Sequence, residues 1–221
     1  MFKNIQVKIC GLTSLEQAQA IAARGVTALG FICLDRSPRY IDPGAIAKIL
    51  QALPNSLLTV GVFVNHSLDE IYDIAHHTGL KGLQLHGNES VEFCQALRHA
   101  LPEQVLIKAI QVRDAQALER AKTYDQTVDI LLLDAYHPQQ WGGTGQVLDW
   151  SLLQTFQPAC PWWLAGGLKP ENIHQALTMA NPQGVDVSSG VERSPGIKDI
   201  FLVEQLLDTL TEANYRLNNY P

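Results

Sequence analysis

The chain has no long apolar run, no block of like charge and no clustered cysteines, and each absence narrows what its 221 residues can be. No stretch approaches the ~20 apolar residues that span a bilayer. The opening MFKNIQVKIC carries no apolar region followed by a small-residue cleavage site. The expectation is a cytoplasmic protein with no membrane partner. Sixteen Lys and Arg are set against 22 Asp and Glu, for a net charge of −6, with no five like charges in a row. Nucleic acid is not expected as a partner, because a phosphate backbone is gripped by clustered cations. Cys10, Cys33, Cys94 and Cys160 stand far apart without a C-x-x-C pair, which argues against a zinc knuckle and a disulfide framework. His76 and His77 are adjacent and cannot chelate one ion from one helix face, and the other five histidines lack ligand spacing, so no metal is expected.

What is present is a rhythm. In a chain that is 46% hydrophobic, short β-branched runs recur at 5–10, 28–34, 57–64, 82–86, 105–110, 129–134, 162–166 and 184–189. Amphipathic stretches such as SLEQAQAIAARG, DPGAIAKILQAL, SLDEIYDIAHHTG and DAQALERAKTY lie between them, opening on Ser or Asp as helix caps do. Strict strand–helix alternation requires parallel strands joined by right-handed crossovers. Eight units in so short a chain predict an α/β fold of the closed (β/α)8 TIM-barrel type, one domain over residues 1–221, with an open doubly wound sheet as the alternative.

In a closed barrel the reacting groups sit at the carboxyl ends of the strands. Cys10 ends the first run, His86 the fourth, Asp134 the sixth, Gly166 and Gly167 the seventh, and Ser188, Ser189 and Gly190 the eighth. Residues two apart share a face, so Lys8 goes with Cys10, Gln84 with His86, Asp186 with Ser188, and Ile130 and Leu132 with Asp134. If those faces point inward, polar groups converge at the mouth over an apolar floor. The Trp162 and Trp163 rings must point to opposite faces, so at most one reaches the mouth.

Three glycine-bearing loops follow strands six, seven and eight: GGTG with Gly143 and Gly145, AGG with Gly166 and Gly167, and SSG ending in Gly190. Glycine lets backbone N–H groups approach an anion, and the hydroxyls of Ser188 and Ser189 add donors. The last two loops are where barrels commonly hold a substrate phosphate beside a short extra helix, which would begin in VERSPG at 191–196. The plain alternative for each loop is a turn glycine.

Cys10 is the candidate base, since a thiolate takes protons from carbon and a cation such as Lys8 would bring its pKa down. A packing thiol is the alternative. Asp134 emerges from the apolar run ILLL, where partial desolvation would keep a proton available for donation; otherwise it is a loop-bonding aspartate. Arg39, in DRSPRY, is suited to a two-point pair with a substrate carboxylate or is simply solvated. Lys8, His86, Gly143 and Gly145 complete the expected substrate site.

Taken in order, VKICGLT (7–13), SPRY (37–40), VGVFVN (60–65), QLHG (84–87), LLLD (131–134), GGTG followed by DW (149–150), GGLKPENI (166–173) and DVSSGVERSPGIKD (186–199) closely resemble the phosphoribosylanthranilate isomerases over nearly the whole chain. The resemblance implies a cofactor-free barrel enzyme of tryptophan biosynthesis. Its reaction would be the Amadori rearrangement of N-(5-phosphoribosyl)anthranilate to 1-(o-carboxyphenylamino)-1-deoxyribulose 5-phosphate. It assigns Asp134 as the acid that opens the furanose ring and Cys10 as the base that takes the C2 proton. Arg39 matches the contact to the anthranilate carboxylate, and the glycines after strand seven with the serines after strand eight match the phosphate cradle. The chain departs from the commonest form at Cys33, Gln146 and Leu148, which leaves the shape of the mouth open. A related sugar-phosphate isomerase or epimerase, or a barrel that only binds phosphorylated ligands, is the alternative function. A monomer and a homodimer are both compatible with the sequence, and so is activity on histidine-pathway substrates.

Overall fold

The computed structural model describes residues 3–135, 150–213 and 215–217. All eight runs become strands of one parallel sheet: β1 (Lys3–Cys10), β2 (Ala28–Ile32), β3 (Leu58–Phe63), β4 (Gly82–Leu85), β5 (Val105–Val112), β6 (Ile130–Ala135), β7 (Trp162–Ala165) and β8 (Gly184–Val187). They pair in chain order, and β8 returns to β1 through Gln6↔Gly184, Val7↔Val185, Lys8↔Asp186 and Ile9↔Val187. That return closes the barrel and removes the open sheet as an alternative.

Outside the strands lie α1 (Leu15–Ala22), α2 (Pro43–Gln51), α3 (Leu68–Thr78), α4 (Val91–Ala100), α5 (Ala115–Lys122), α6 (Ile173–Ala180) and α7 (Ile200–Glu212). Most of their starts are fixed by side-chain caps, α6 being an exception. Ser14, Asp42, Ser67, Ser90 and Asp114 each accept a backbone N–H from the first turn of the helix that follows, and Ser67 and Glu70 form a reciprocal capping box. No helix among the described residues is long and apolar enough to cross a membrane.

Two elements differ from expectation. The helix expected to begin in VERSPG is instead a single 3-10 turn at Ser189–Val191, followed by an antiparallel pair, β9 (Glu192–Ser194) and β10 (Ile197–Lys198). Pro195 cannot continue a helix, and Gly196 at φ 82° makes the reversal. Ahead of β7 the described residues hold a 3-10 turn, Trp150–Leu153, with both end residues buried. A last short strand, β11 (Tyr215–Leu217), runs parallel to Lys3–Ile5 at the start of β1. The GGTG loop with Gly143 and Gly145, together with Gln146 and Leu148, lies outside the described residues.

Alternation sorts the strand side chains into two apolar layers. Outward residues such as Ile5, Val7, Ile9, Leu131 and Leu133 pack under the helices. Inward residues Ala28, Leu58, Val60, Ile107, Ala109, Ile130, Leu132, Trp163 and Ala165 fill the barrel. The two tryptophans part as expected. Trp162 meets Phe156 edge-on at 5.7 Å in the outer layer, while Trp163 turns inward and donates from Nε1 to Gln6 Oε1 at 2.9 Å. Neither ring lines the mouth. Trp163 fits because its cross-strand partner is Gly184: a Cβ there would stand 2.4 Å from the indole Cδ1. Gly184→Ala is therefore expected to lower stability by about 1–3 kcal/mol through overpacking, read as a lower urea midpoint with an unchanged m-value.

Candidate active site

A cleft of about 620 Å³ opens at the carboxyl ends of the strands, and its wall carries Cys10, Arg39, Gln84, His86, Asp134, Gly166, Gly167, Asp186, Ser188 and Ser189. The candidate acid, base and loop residues are thus brought to one place. Ile32, Val62, Ala165 and Leu168 supply apolar wall between them. A second cleft of about 660 Å³ opens at the other end of the barrel, where Arg98 pairs with Asp129 and Lys81 bonds the Asn55 carbonyl.

Between the mouth and the apolar residues that fill the barrel lies an ionic layer. Cross-strand register sets Lys8 opposite Asp186, and Lys8 Nζ bonds Asp186 Oδ2 and Gln84 Oε1, each at 2.9 Å. Lys8 is fully buried and off the cleft wall, so its place is under Cys10 and not against a substrate. Burial disfavours its ammonium, but Asp186 and Cys10 outweigh that and raise its pKa. Asp186 was not singled out as a site residue from sequence. Its Oδ1 is buried with no hydrogen-bond partner among the described residues, yet the residue reaches the cleft wall, which leaves an acceptor for a substrate donor. The signal for it was its shared face with Ser188.

Cys10 sits at the end of β1, buried beside Lys8. The side chains fit because position 30 on β2 is glycine: a Cβ there would stand 2.6 Å from Cys10 Sγ and 2.9 Å from Lys8 Nζ. The expectation that a cation would bring the thiol's pKa down is corrected. Burial pushes the Cys10 thiol up and Asp186 adds to it, and the opposing pull of Lys8 and Lys198 is not enough. Cys33, by contrast, is buried off the wall, bonds the Phe31 carbonyl and is pushed up to about 12 by burial.

Asp134, on β6, is 27% exposed and lies 3.4 Å from His86 Nε2 across the mouth. His86 follows β4, and its loop is pinned from below by Glu89. That carboxylate accepts from the Asn65 N–H at 2.8 Å and the Gly87 N–H at 2.9 Å, and pairs with Lys108 of β5 at 2.9 Å. Burial works against the Glu89 carboxylate, but the Asn65 N–H and Lys108 hold it below its usual range.

The loops after β7 and β8 press together at Gly190, where a Cβ would stand 1.9 Å from the Leu168 carbonyl oxygen. Gly190 is therefore a packing glycine off the cleft wall. Gly166 and Gly167 take left-handed conformations at φ 93° and 64° and do face the cleft. The Ser188 hydroxyl donates to the Cys10 carbonyl at 3.0 Å, so that proton is committed within the protein. Arg39 is also engaged. Its Nε and Nη2 fork onto Glu192 at 3.0 and 2.7 Å, and Lys198, buried under the same loop, bonds Glu192 at 2.7 Å and the Ser188 carbonyl at 3.2 Å. Glu192 and Lys198 escaped the sequence reading, since nothing marked a carboxylate 153 residues away as the partner of Arg39.

A closed barrel with a thiol, a carboxylate and paired glycine loops at one mouth places the chain among the TIM-barrel enzymes. The model of the N-(5'phosphoribosyl)anthranilate (PRA) isomerase family matches residues 7–209. A relative from Thermosynechococcus vestitus named N-(5'-phosphoribosyl)anthranilate isomerase is 53% identical, over 99% of this chain and 94% of its own length. The crystal structure of phosphoribosyl anthranilate isomerase from Thermotoga maritima superposes with a TM-score of 0.86 at 38% identity, over 94% of this chain and 99% of that one. A phosphoribosyl anthranilate isomerase in complex with reduced 1-(o-carboxyphenylamino)-1-deoxyribulose 5-phosphate matches at a TM-score of 0.83 and 36% identity, over the same shares of the two chains. The chain belongs to the phosphoribosylanthranilate isomerase family.

The raised pKa of Cys10 has a direct readout. Alkylation of Cys10 by iodoacetamide, followed by peptide mass mapping, should keep accelerating as pH rises through and past about 8.5, the value of a free thiol. A rate that levels off near neutral pH would show a thiol lowered by Lys8 instead.

Proposed function

We propose that the chain converts N-(5-phosphoribosyl)anthranilate to 1-(o-carboxyphenylamino)-1-deoxyribulose 5-phosphate in tryptophan biosynthesis, with Asp134 as the acid and Cys10 as the base. The observation that carries this reading is the placement of those two side chains on β6 and β1, at one mouth, with the glycine loops of β7 and β8 beside them. The barrel of residues matched by the family supports a single domain.

Protonated Asp134 gives its proton to the furanose ring oxygen as the C1–O bond breaks, and the nitrogen lone pair closes a Schiff base. His86 Nε2–H, facing the carboxylate, stabilises the charge Asp134 acquires. Cys10, as thiolate, takes the proton from C2, and the released electron pair flows to the nitrogen to leave an enolamine. Tautomerisation moves a proton onto C1 and forms the C2 ketone, so the net change is an isomerisation that needs no external electron acceptor. Lys8 contributes from beneath by favouring the thiolate against burial.

Recognition divides along the cleft. Gly166, Gly167, Ser188 and Ser189 cradle the phosphate with their loop backbones, while Gly190 lets the two loops close up. Arg39 meets the anthranilate carboxylate with the guanidinium edge that Glu192 leaves unused, next to the apolar Ile32 and Val62. Gly143 and Gly145, outside the described residues, join the substrate site on the sequence alone, and the Asp186 Oδ1 accepts from a sugar hydroxyl.

The purified chain, given phosphoribosylanthranilate without added metal or cofactor, should form the ribulose product. Cys10→Ser and Asp134→Asn should each lower kcat by at least about 10²–10⁴-fold, the scale of a lost general acid or base, while a product-like phosphate ligand still binds by calorimetry. Full turnover in either variant overturns that residue's role, and binding without any conversion by the native chain makes it a binding protein.

A further inference from the structure

A line of polar contacts, two hydrogen bonds and then an ion-pair contact, runs from beneath the cleft along its wall. Lys8 Nζ lies 2.9 Å from Gln84 Oε1, Gln84 Nε2 lies 2.9 Å from His86 Nδ1, and His86 Nε2 lies 3.4 Å from Asp134 Oδ2. Its direction follows from chemistry alone. An ammonium has donors and no acceptor, so the Gln84 amide must turn its oxygen to Lys8 and its NH2 to the imidazole. Nδ1 must then accept, which leaves the ring proton on Nε2, the nitrogen that faces Asp134. The Lys8 end has no room to reverse this. Lys8 is fully buried and held by Asp186 as well, and Gln84 is buried between the two strands.

We propose that Gln84 is a positioning residue that carries the orientation set by Lys8 across to Asp134, by holding neutral His86 in its Nε2–H tautomer. This rests on the reading of Asp134 as the proton donor. Without Gln84, the Nδ1–H tautomer would turn a lone pair toward Asp134 and repel the carboxylate that proton donation leaves behind. In this proposal Gln84 acts through His86 and is neither the acid nor the base, so its loss should appear in kcat more than in KM.

The test reads the tautomer directly by ¹⁵N NMR of the imidazole in the full-length protein, with the His86 signals assigned by their disappearance in His86→Asn. In the native chain, Nδ1 should be unprotonated and Nε2 protonated. Gln84→Leu should give a mixture of tautomers and a kcat about tenfold lower, the scale of one hydrogen bond, with KM changed less than about twofold. Gln84→Glu, of the same size, keeps an acceptor toward Lys8 and offers a second one to the ring, so the proton should appear on Nδ1. This variant guards against a Leu substitution that simply fails to fold. An unchanged Nε2–H tautomer in both variants overturns the proposal, as does an unchanged kcat in Gln84→Leu with an altered tautomer. An error in the role of Asp134 shows separately, as full turnover in Asp134→Asn, because the tautomer is read without substrate.

Discussion

The Lys8–Asp186 ion pair sits on the seam where β8 meets β1, and the ring of strands closes around it. Two charges buried at such a seam are costly to desolvate. Removing either partner alone would leave the other stranded, at about 3–5 kcal/mol, whereas a pair of well-packed apolar residues would serve closure equally well. What an apolar pair would not do is hold Gln84 by its oxygen, pull the Cys10 thiol toward its charged form, and leave one buried carboxylate oxygen without a partner. The seam therefore organises the chemistry above it as well as the barrel around it.

A second buried pair, Glu89 with Lys108, does for the far side of the mouth what the seam does for the near side. Glu89 ties the loop after β3, the loop after β4 and strand β5 into one frame, and Asn65 holds a left-handed conformation at φ 54° within it. His86 is thus presented from this frame, opposite Asp134 on β6. A third ionic knot, Arg39–Glu192–Lys198, ties the loop after β2 to the turn after β8. Of the three ionic clusters, the first joins strands β1 and β8 within the sheet, and the other two tie loops at the mouth to elements distant in sequence.

Strand positions and helix starts were legible in the sequence because they follow from local patterning: alternation in IQVKIC or DILLLD, and Ser or Asp before an amphipathic stretch. Inward and outward faces followed too, so Cys10, Gln84, His86, Asp134 and Asp186 all point where period-two counting sends them. Partners were not legible. That Lys8 faces Asp186 depends on the register of two strands 178 residues apart, and that Glu192 takes Arg39 depends on a hairpin after β8. The direction of the Cys10 pKa was misread for the same reason, since a nearby cation is visible in VKIC but the depth of burial is not. The turn after β8 was misplaced because glycine and proline in VERSPG announce a break without saying whether a helix or a hairpin lies on either side.

Because Glu192 grips one edge of the Arg39 guanidinium, that cation is no longer a mobile arm on a tether. It is a flat plate with a set tilt, and a set tilt turns recognition from a matter of charge into a matter of angle. Any anion can neutralise a wandering arginine, but a two-point dock on this one is open only to an oxyanion that arrives in the plane of the remaining edge. In the role proposed for Arg39, that gives selectivity among ligands of equal charge to Glu192, a residue no ligand has to touch.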